Sequence, residues 1–318
     1  MFEHNSKNVR YPSQLAILLG LTGAGLIIGA LAAFAIWTMM TGEAFPLKPE
    51  DILQPKYYKV NMVLQAVSTF LMFFVPAHFF AAICYRKPFT HLGFNFPFNS
   101  KQVLLLIGIL LLTFPLSASF AELNKIIPIS EYWAAKFKAM ELAREAQEAA
   151  LININSFSRF IISLIVIALL PAIFEETFFR GGLQNLFTRW FKGPWAAIIL
   201  TSIIFSIIHL SFYGFLVRFA LGIILGFIFY YSGSLWLSII FHFLFNGVQV
   251  TILYIMTMKG IKNKNIEESF PIWTGAIALL LLLYLFKLYK QTSTNIQSKY
   301  IEEVTPEDEF NNWTAKNS

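Results

Sequence analysis

Long apolar stretches, separated by short polar connections, dominate the chain. A helix needs about 20 mainly apolar residues to cross a bilayer, so the pattern predicts an all-α, polytopic bundle of about eight membrane-spanning helices. The predicted spans are Leu15–Thr41, Val60–Tyr85, Gln102–Leu123, Phe157–Phe179, Trp195–Phe212, Phe215–Tyr231, Leu235–Thr257 and Pro271–Tyr289. Only Tyr213 and Gly214 separate the fifth from the sixth, which predicts a tight helical hairpin with Arg218 reaching the interface.

Two segments differ from these spans. Ser130–Leu151 is rich in strong helix formers and is predicted to lie on the membrane interface; the alternative is a lid or substrate-gating helix. Its partly apolar face comprises Trp133, Phe137, Met140 and Leu142. Gln291–Ser318 is polar and predicts a flexible tail. The predicted organisation is therefore an N-terminal three-helix membrane region (1–123), an interfacial helix and loop (124–156), a membrane core (157–257), a final span (258–290) and the tail (291–318).

Composition agrees with a membrane protein. Hydrophobic residues make up 57% of the 318 positions and charged residues 13%, against about 25% charged in soluble domains. The single cysteine, Cys84, excludes an intrachain disulfide and a cysteine metal cluster, and is predicted to be a small buried side chain. The net charge of +6 is explained by basic residues that flank the spans. Nucleic-acid binding is not indicated, because the sequence has no basic patch with interleaved aromatic residues.

Lys and Arg in short connections predict the orientation, because they favour the cytoplasmic side. With eight spans, one side collects Lys7, Arg10, Arg86, Lys87, Lys101, Arg189, Lys192, Lys287 and Lys290. This predicts an integral protein of the cell (inner or plasma) membrane with both termini in the cytoplasm. The seventh connection argues against it with Lys259, Lys262 and Lys264, partly offset by Glu267 and Glu268.

Charged residues interrupt the fourth predicted span near its end. Glu175 and Glu176 are adjacent, and Arg180 follows Glu176 by four positions. Residues four apart share a helix face, so Glu176 and Arg180 are predicted to pair, whereas Glu175 points about 100° away. The unpaired Glu175 is then a candidate general base. The alternative is a charge cluster at a helix end.

Two later spans each carry a histidine. Phe205 and His209 are four apart in the fifth span, so the phenyl ring can fix the imidazole. His242 and Asn246 are four apart in the seventh, on a face predicted to point inward because lipid offers no hydrogen-bond partner. Taken singly, His209 is explained as a structural histidine and the other pair as interhelical hydrogen bonding. Together, the three constellations predict one buried hydrolytic site.

The order E-E-x-x-x-R, F-x-x-x-H and H-x-x-x-N on hydrophobic helices resembles the CPBP (CAAX-protease and bacteriocin-processing) family of intramembrane endopeptidases. That family includes the CAAX prenyl endopeptidase and lysostaphin-resistance-like proteins. The resemblance covers roughly Phe157–Gly247. It implies Glu175 as catalytic base and Asn246 as the oxyanion donor. The full implied catalytic set is Glu175, His209, His242 and Asn246, supported by Glu176, Arg180 and Phe205.

Metal use is open at this point. Glu175, His209 and His242 would be a three-ligand set for catalytic Zn²⁺, yet the same residues serve a metal-free glutamate-type protease. We favour the scheme without a cofactor, and Zn²⁺ is the alternative. Zinc-bound histidines usually pass their second ring nitrogen to a carboxylate or carbonyl, and only Tyr213 lies near His209 on its own predicted helix.

The implied function is peptide-bond hydrolysis in membrane-associated or lipid-modified proteins or peptides. The predicted partners are membrane lipid and such a substrate; the sequence does not define an oligomeric state. The alternative is a non-catalytic membrane module, a transporter or scaffold that uses the Glu, His and Asn side chains as a polar relay. Matching helix breaks in two halves would favour it, but the breaks at Pro171 and Gly181 have no matching break in a second half.

Overall fold

Helices account for the regular structure throughout the computed structural model, which describes residues 6–46, 48–94, 97–151, 154–261 and 270–303. The longer helices are α1 Tyr11–Thr41, α2 Pro55–Cys84, α3 Ser100–Lys125, α4 Glu131–Leu151, α5 Phe157–Trp190, α6 Pro194–Ile207, α7 Phe215–Ser232, α8 Leu235–Met258 and α9 Trp273–Glu303. Pro49–Ile52 and Pro88–Leu92 form short helical turns. The predicted all-α, polytopic class is confirmed.

Seven of these helices are long and apolar enough to cross a membrane, rather than the eight expected. The fifth predicted span corresponds to α6, which has 14 residues and is shorter than the roughly 20 needed. The fourth is longer than expected, because α5 continues from Phe179 to Trp190. Two cytoplasmic termini require an even number of crossings, which seven spans do not supply, so the orientation stays a prediction. Four of the charged residues used for it, Lys262, Lys264, Glu267 and Glu268, lie outside the described residues.

Residues 208–214 form a turn, although the fifth span was expected to continue as a helix to Phe212. Leu210 adopts a left-handed backbone conformation with φ 50°, which ends the helical path. Apolar side chains nevertheless continue through this region: Ile207, Ile208 and Leu210 are 55%, 40% and 66% exposed. Hydropathy does not indicate where backbone hydrogen bonding ends, so the helix predicted from the apolar run was too long.

The bundle has two main apolar clusters. One joins α1, α2 and α5 around Leu18, Phe80 and Phe179, and includes the buried Cys84 that the sequence predicted. The other joins α3, α7, α8 and α9 around Leu106, Ile224, Phe241 and Tyr289. Residues beside the two glutamates belong to the first cluster, and residues beside His242 and Asn246 belong to the second. The polar candidates therefore lie where the two clusters meet.

Helix α5 departs from α-helical geometry in two π-helical segments, Leu164–Leu169 and Thr177–Gln184. The second segment follows Glu176 directly and every one of its side chains is buried. Such π segments are frequent at functional sites, because the extra residue per turn re-aims the side chains that follow. Here the segment carries Arg180 into the centre of the bundle.

Two glycines on α7 allow close approach of its neighbours. A methyl group at Gly222 would lie 2.8 Å from Cβ and 3.0 Å from Cα of Ser202 on α6. The bare surface also exposes carbonyl groups: Arg180 Nη2 donates to the Gly222 oxygen at 3.2 Å, and Gln184 Nε2 donates to the Gly226 oxygen at 2.9 Å. Small residues spaced by four positions serve the same purpose in other membrane helices.

We expect Gly222→Ala to lower the free energy of unfolding by about 1–3 kcal/mol, because the methyl group meets the backbone of α6 and one helix must shift. Gly20→Ala is the matched control, since a methyl group there has no neighbour within 4 Å. Thermal unfolding in detergent would measure both. Equal stability of the two variants would show that α6 and α7 do not pack this closely.

The connecting helix and the C-terminal helix refine two sequence predictions. Helix α4 confirms the helix predicted over Ser130–Leu151, but Trp133 and Leu142 of its supposed apolar face are 45% and 57% exposed. Its packed side instead comprises Ala134, Phe137, Met140, Glu141 and Arg144.

Helix α9 continues to Glu303, so the first part of the expected flexible tail is helical, and residues 304–318 lie outside the described residues.

Candidate active site

Glu176 has two polar partners in the interior of the bundle, and both contact the same carboxylate oxygen. Arg180 Nη1 donates to its Oε1 atom at 2.9 Å, and His242 Nδ1 lies 2.8 Å from the same oxygen. The side chains of Glu176 and Arg180 are both fully buried. The predicted pairing is confirmed, and it exists because two charges in this environment are tolerable only together.

The contact between Glu176 and His242 was not predicted, since the two residues are 66 positions apart. A carboxylate paired with Arg180 can only accept, so Nδ1 of His242 carries the hydrogen. Its Nε2 atom is then an acceptor in the neutral ring and a second donor in the protonated ring. Helix spacing gives neighbours on the same helix alone, here Ser238 and Asn246, so it could not find a partner on α5.

Glu175 differs from its neighbour. Its side chain is half-buried, and no hydrogen bond joins it to any residue that the structure describes. Arg180, Arg218 and His242 lie within electrostatic range of its carboxylate. Of the two adjacent glutamates, Glu176 is therefore hydrogen-bonded and Glu175 is not, as their positions on the helix predicted.

His209 lies in the turn after α6, with its ring anchored to the end of that helix. Nδ1 is 2.7 Å from the carbonyl oxygen of Phe205, and the rings of Phe205 and His209 meet edge to face at 4.8 Å. Because a carbonyl oxygen only accepts, Nδ1 carries the hydrogen and the neutral ring presents Nε2 as an acceptor. The expected contact with Phe205 is confirmed, but the expected position within a helix is wrong.

Phe205 connects the two histidine sites. Its ring centroid lies 6.2 Å from that of His242 and 5.0 Å from the Arg180 guanidinium, in addition to the contact with His209. Asn246 lies one turn beyond His242 on α8, half-buried, and no described residue forms a hydrogen bond with its amide. That Glu175, His209, His242 and Asn246 share one water-sized cavity stays a prediction.

The hydrogen-bond partners of the two histidine rings bear on whether these residues could bind zinc. Both imidazoles have the kind of partner that zinc-bound histidines use, a carboxylate for His242 and a carbonyl for His209. The sequence indicated at best Tyr213 as a partner for His209 on its own helix, whereas the partner is the Phe205 carbonyl. However, no three His, Cys, Asp or Glu side chains among the described residues are placed to hold a metal ion together. Glu175, His209 and His242 do not meet that condition, so no catalytic step is assigned to a metal below.

These features define an integral membrane protein of the polytopic helical class with a buried glutamate–histidine centre. Within it, residues 157–248 match the family model described as Rce1-like, Type II CAAX prenyl endopeptidase. The match spans α5 to α8, under a third of the chain, and confirms the resemblance found in the three motifs. No curated protein and no solved structure gives a significant match to the chain.

Proposed function

We propose that this protein is an intramembrane endopeptidase that hydrolyses peptide bonds in membrane-associated or lipid-modified proteins or peptides. The family match over residues 157–248 supports the reaction class. The single observation that carries the proposal is the half-buried Glu175 carboxylate, which has no hydrogen-bond partner among the described residues, beside the paired Glu176. A buried carboxylate without a partner is costly in a membrane, which favours a functional role for it.

In the proposed reaction, Glu175 removes a proton from water while His209 accepts a hydrogen bond from that water through Nε2. The water oxygen attacks the carbonyl carbon of the peptide, and the negative charge passes to the carbonyl oxygen. The Asn246 amide and the Nε2–H of protonated His242 donate to this oxyanion. The C–N bond then breaks, and the proton held by Glu175 passes to the leaving nitrogen.

Glu176 has a supporting role in this scheme. Its hydrogen bond to Nδ1 fixes the orientation of the His242 ring and leaves Nε2 as the ring atom that can face the substrate. Arg180 in turn holds the Glu176 carboxylate in place through its own hydrogen bond. The arrangement parallels the carboxylate–histidine pair of serine hydrolases, in which a buried carboxylate orients an imidazole.

The reaction can be tested with two peptides of identical sequence, one farnesylated near its C-terminus and one unmodified. Purified protein in lipid nanodiscs would be incubated with each, and the products identified by mass spectrometry. We expect cleavage of the lipidated peptide and none by the matched Glu175→Gln variant. Failure to cleave a panel of membrane-bound peptides, with wild type and variant alike, would favour the non-catalytic relay instead.

For metal dependence, we expect purified active protein to contain no stoichiometric zinc and to keep its activity in the presence of chelators. The reason is that the three zinc-ligand candidates are not placed to bind one ion together. Elemental analysis on the same sample that is assayed would measure this. One equivalent of zinc, lost together with activity on chelation and restored on its return, would contradict the prediction.

A further inference from the structure

The turn that carries His209, residues 208–214, is held from outside the family-matched segment. Asn124 at the end of α3 uses its whole amide: Nδ2 donates to the Phe212 carbonyl at 2.8 Å, and Oδ1 accepts from the Leu216 amide at 3.0 Å. Asn124 is 1% exposed. This buried amide joins a carbonyl within the turn to a backbone amide at the start of α7 and so fixes the backbone between them, since each lost bond would leave a polar group unpaired.

Helix α4 holds the same turn from another side. Glu141 Oε2 accepts a hydrogen bond from the Ser211 hydroxyl at 2.7 Å, and Ser211 Oγ accepts from the Gly214 amide at 3.0 Å. Next to this contact, the rings of Phe137 and Phe212 stack at 4.6 Å and are parallel to within 1°. Two kinds of contact, one polar and one aromatic, therefore join α4 to the turn.

The turn needs such support because its own geometry is unfavourable. Leu210 takes a positive φ, a conformation that costs a non-glycine residue about 1–3 kcal/mol unless its surroundings enforce it. His209 lies directly before it and is bonded through Nδ1 only to the last turn of α6. The direction of the His209 ring thus depends on the turn being fixed.

We propose that Glu141 is a positioning residue that, through Ser211, fixes the turn carrying His209. The proposal rests on the catalytic role proposed for His209. Nothing in the family match assigns it, because Glu141, Phe137 and Asn124 precede residue 157. It also gives α4 a role in the site that is neither passive interfacial packing nor a lid: the helix supports the reactive turn from behind.

Glu141 has the charge state that this role requires at neutral pH. Burial raises the pKa of its carboxyl, but hydrogen bonds from Arg144 and Ser211 and the nearby charge of Arg218 outweigh burial, so the pKa is lower than usual. A lowered pKa means that the contact is stabilising above the ordinary value and is lost only as pH falls through the lowered one. The contact therefore persists across the neutral range.

The test compares kcat and KM of Glu141→Ala, Ser211→Ala and the double variant on a cleaved peptide. We expect each single change to lower kcat about 10- to 100-fold with little change in KM, since small misplacements of a reacting group cost this much. The double variant should lose clearly less than the product of the two single losses, because both changes break the shared Glu141–Ser211 hydrogen bond. Glu141→Gln keeps an acceptor for Ser211 and should retain most of the kcat. Glu145→Ala, exposed on the same helix, is the matched control.

A second readout does not depend on activity. Diethyl pyrocarbonate modifies accessible imidazoles, and mass spectrometry would follow His209 against the buried His242 in one sample. We expect His209 of Glu141→Ala to react several-fold faster than in wild type, with His242 unchanged. Unchanged labelling together with unchanged kcat would overturn the proposal, and so would additive effects of the two single changes. If labelling changes but wild type cleaves no peptide, the positioning role stands and the proposed function fails.

A cross-link between α4 and the turn would distinguish a helix that supports the turn from a helix that must move away as a lid. In a Phe137→Cys, Phe212→Cys double variant, the two thiols would be joined by a short, cleavable cross-linker, with the buried Cys84 left in place. A static support predicts that the linked protein keeps its kcat. Loss of activity on linking, with recovery when the linker is cleaved, would show that α4 must move away during turnover and would overturn the proposal in favour of a lid.

Discussion

Glu175→Gln is expected to abolish proteolysis while leaving the protein folded. Glutamine has nearly the same shape but cannot take a proton from water, and general-base groups commonly contribute about 10²–10⁴-fold to the rate. Because no described residue forms a hydrogen bond with Glu175, the substitution breaks no hydrogen bond of the described structure, and it keeps the size of the side chain. Hydrolysis of a membrane-bound peptide, measured alongside thermal unfolding, should therefore show a large loss of kcat at unchanged stability.

The control for this experiment is Glu122→Gln, which neutralises a glutamate that is 40% exposed at the end of α3 and paired with Lys125. It should behave as wild type in both measurements. Cleavage by Glu175→Gln at a rate near that of wild type would remove Glu175 from the mechanism. The adjacent Glu176 would then have to be reconsidered as the base, despite its two existing partners.

Arg180→Met should have the largest effect on stability. The substitution removes the partner of a fully buried carboxylate, and breaking a buried ion pair from one side typically costs about 3–5 kcal/mol. It also removes the donor to the Gly222 carbonyl, which joins α5 to α7. We expect a lower unfolding temperature in detergent and a lower yield of folded protein, with activity lost as a consequence.

Two further variants test whether the loss of stability comes from the broken ion pair. Glu176→Gln with Arg180→Met removes both charges and should recover part of the lost stability, because an apolar replacement of the whole pair avoids the uncompensated charge. Lys125→Met breaks an ion pair whose partners are 48% and 40% exposed, and should change stability by about 1 kcal/mol at most. If Arg180→Met were as stable as Lys125→Met, the ion pair would not stabilise the bundle as inferred.

The sequence alone determined the class of the protein and the pairs that lie within single helices. Run length and composition predicted the membrane bundle, because hydropathy is a local property of the chain and the bilayer has a fixed thickness. Helix periodicity predicted the contact of Glu176 with Arg180, since residues four apart on a helix are neighbours. It also predicted the contact of Phe205 with His209, although His209 lies two residues beyond the end of α6. The order of the three motifs predicted the family resemblance.

Tertiary structure alone decided how the helices meet and where α6 ends. Periodicity cannot say which helices face each other, so it could not place Glu176 against His242 or Glu141 against Ser211. Hydropathy could not end α6 at Ile207, because the turn beyond it is as apolar as the helix and its path is set by Leu210 and by hydrogen bonds from Asn124. The position of His209 therefore depends on packing between helices that are distant in the sequence, which no single stretch of the chain encodes.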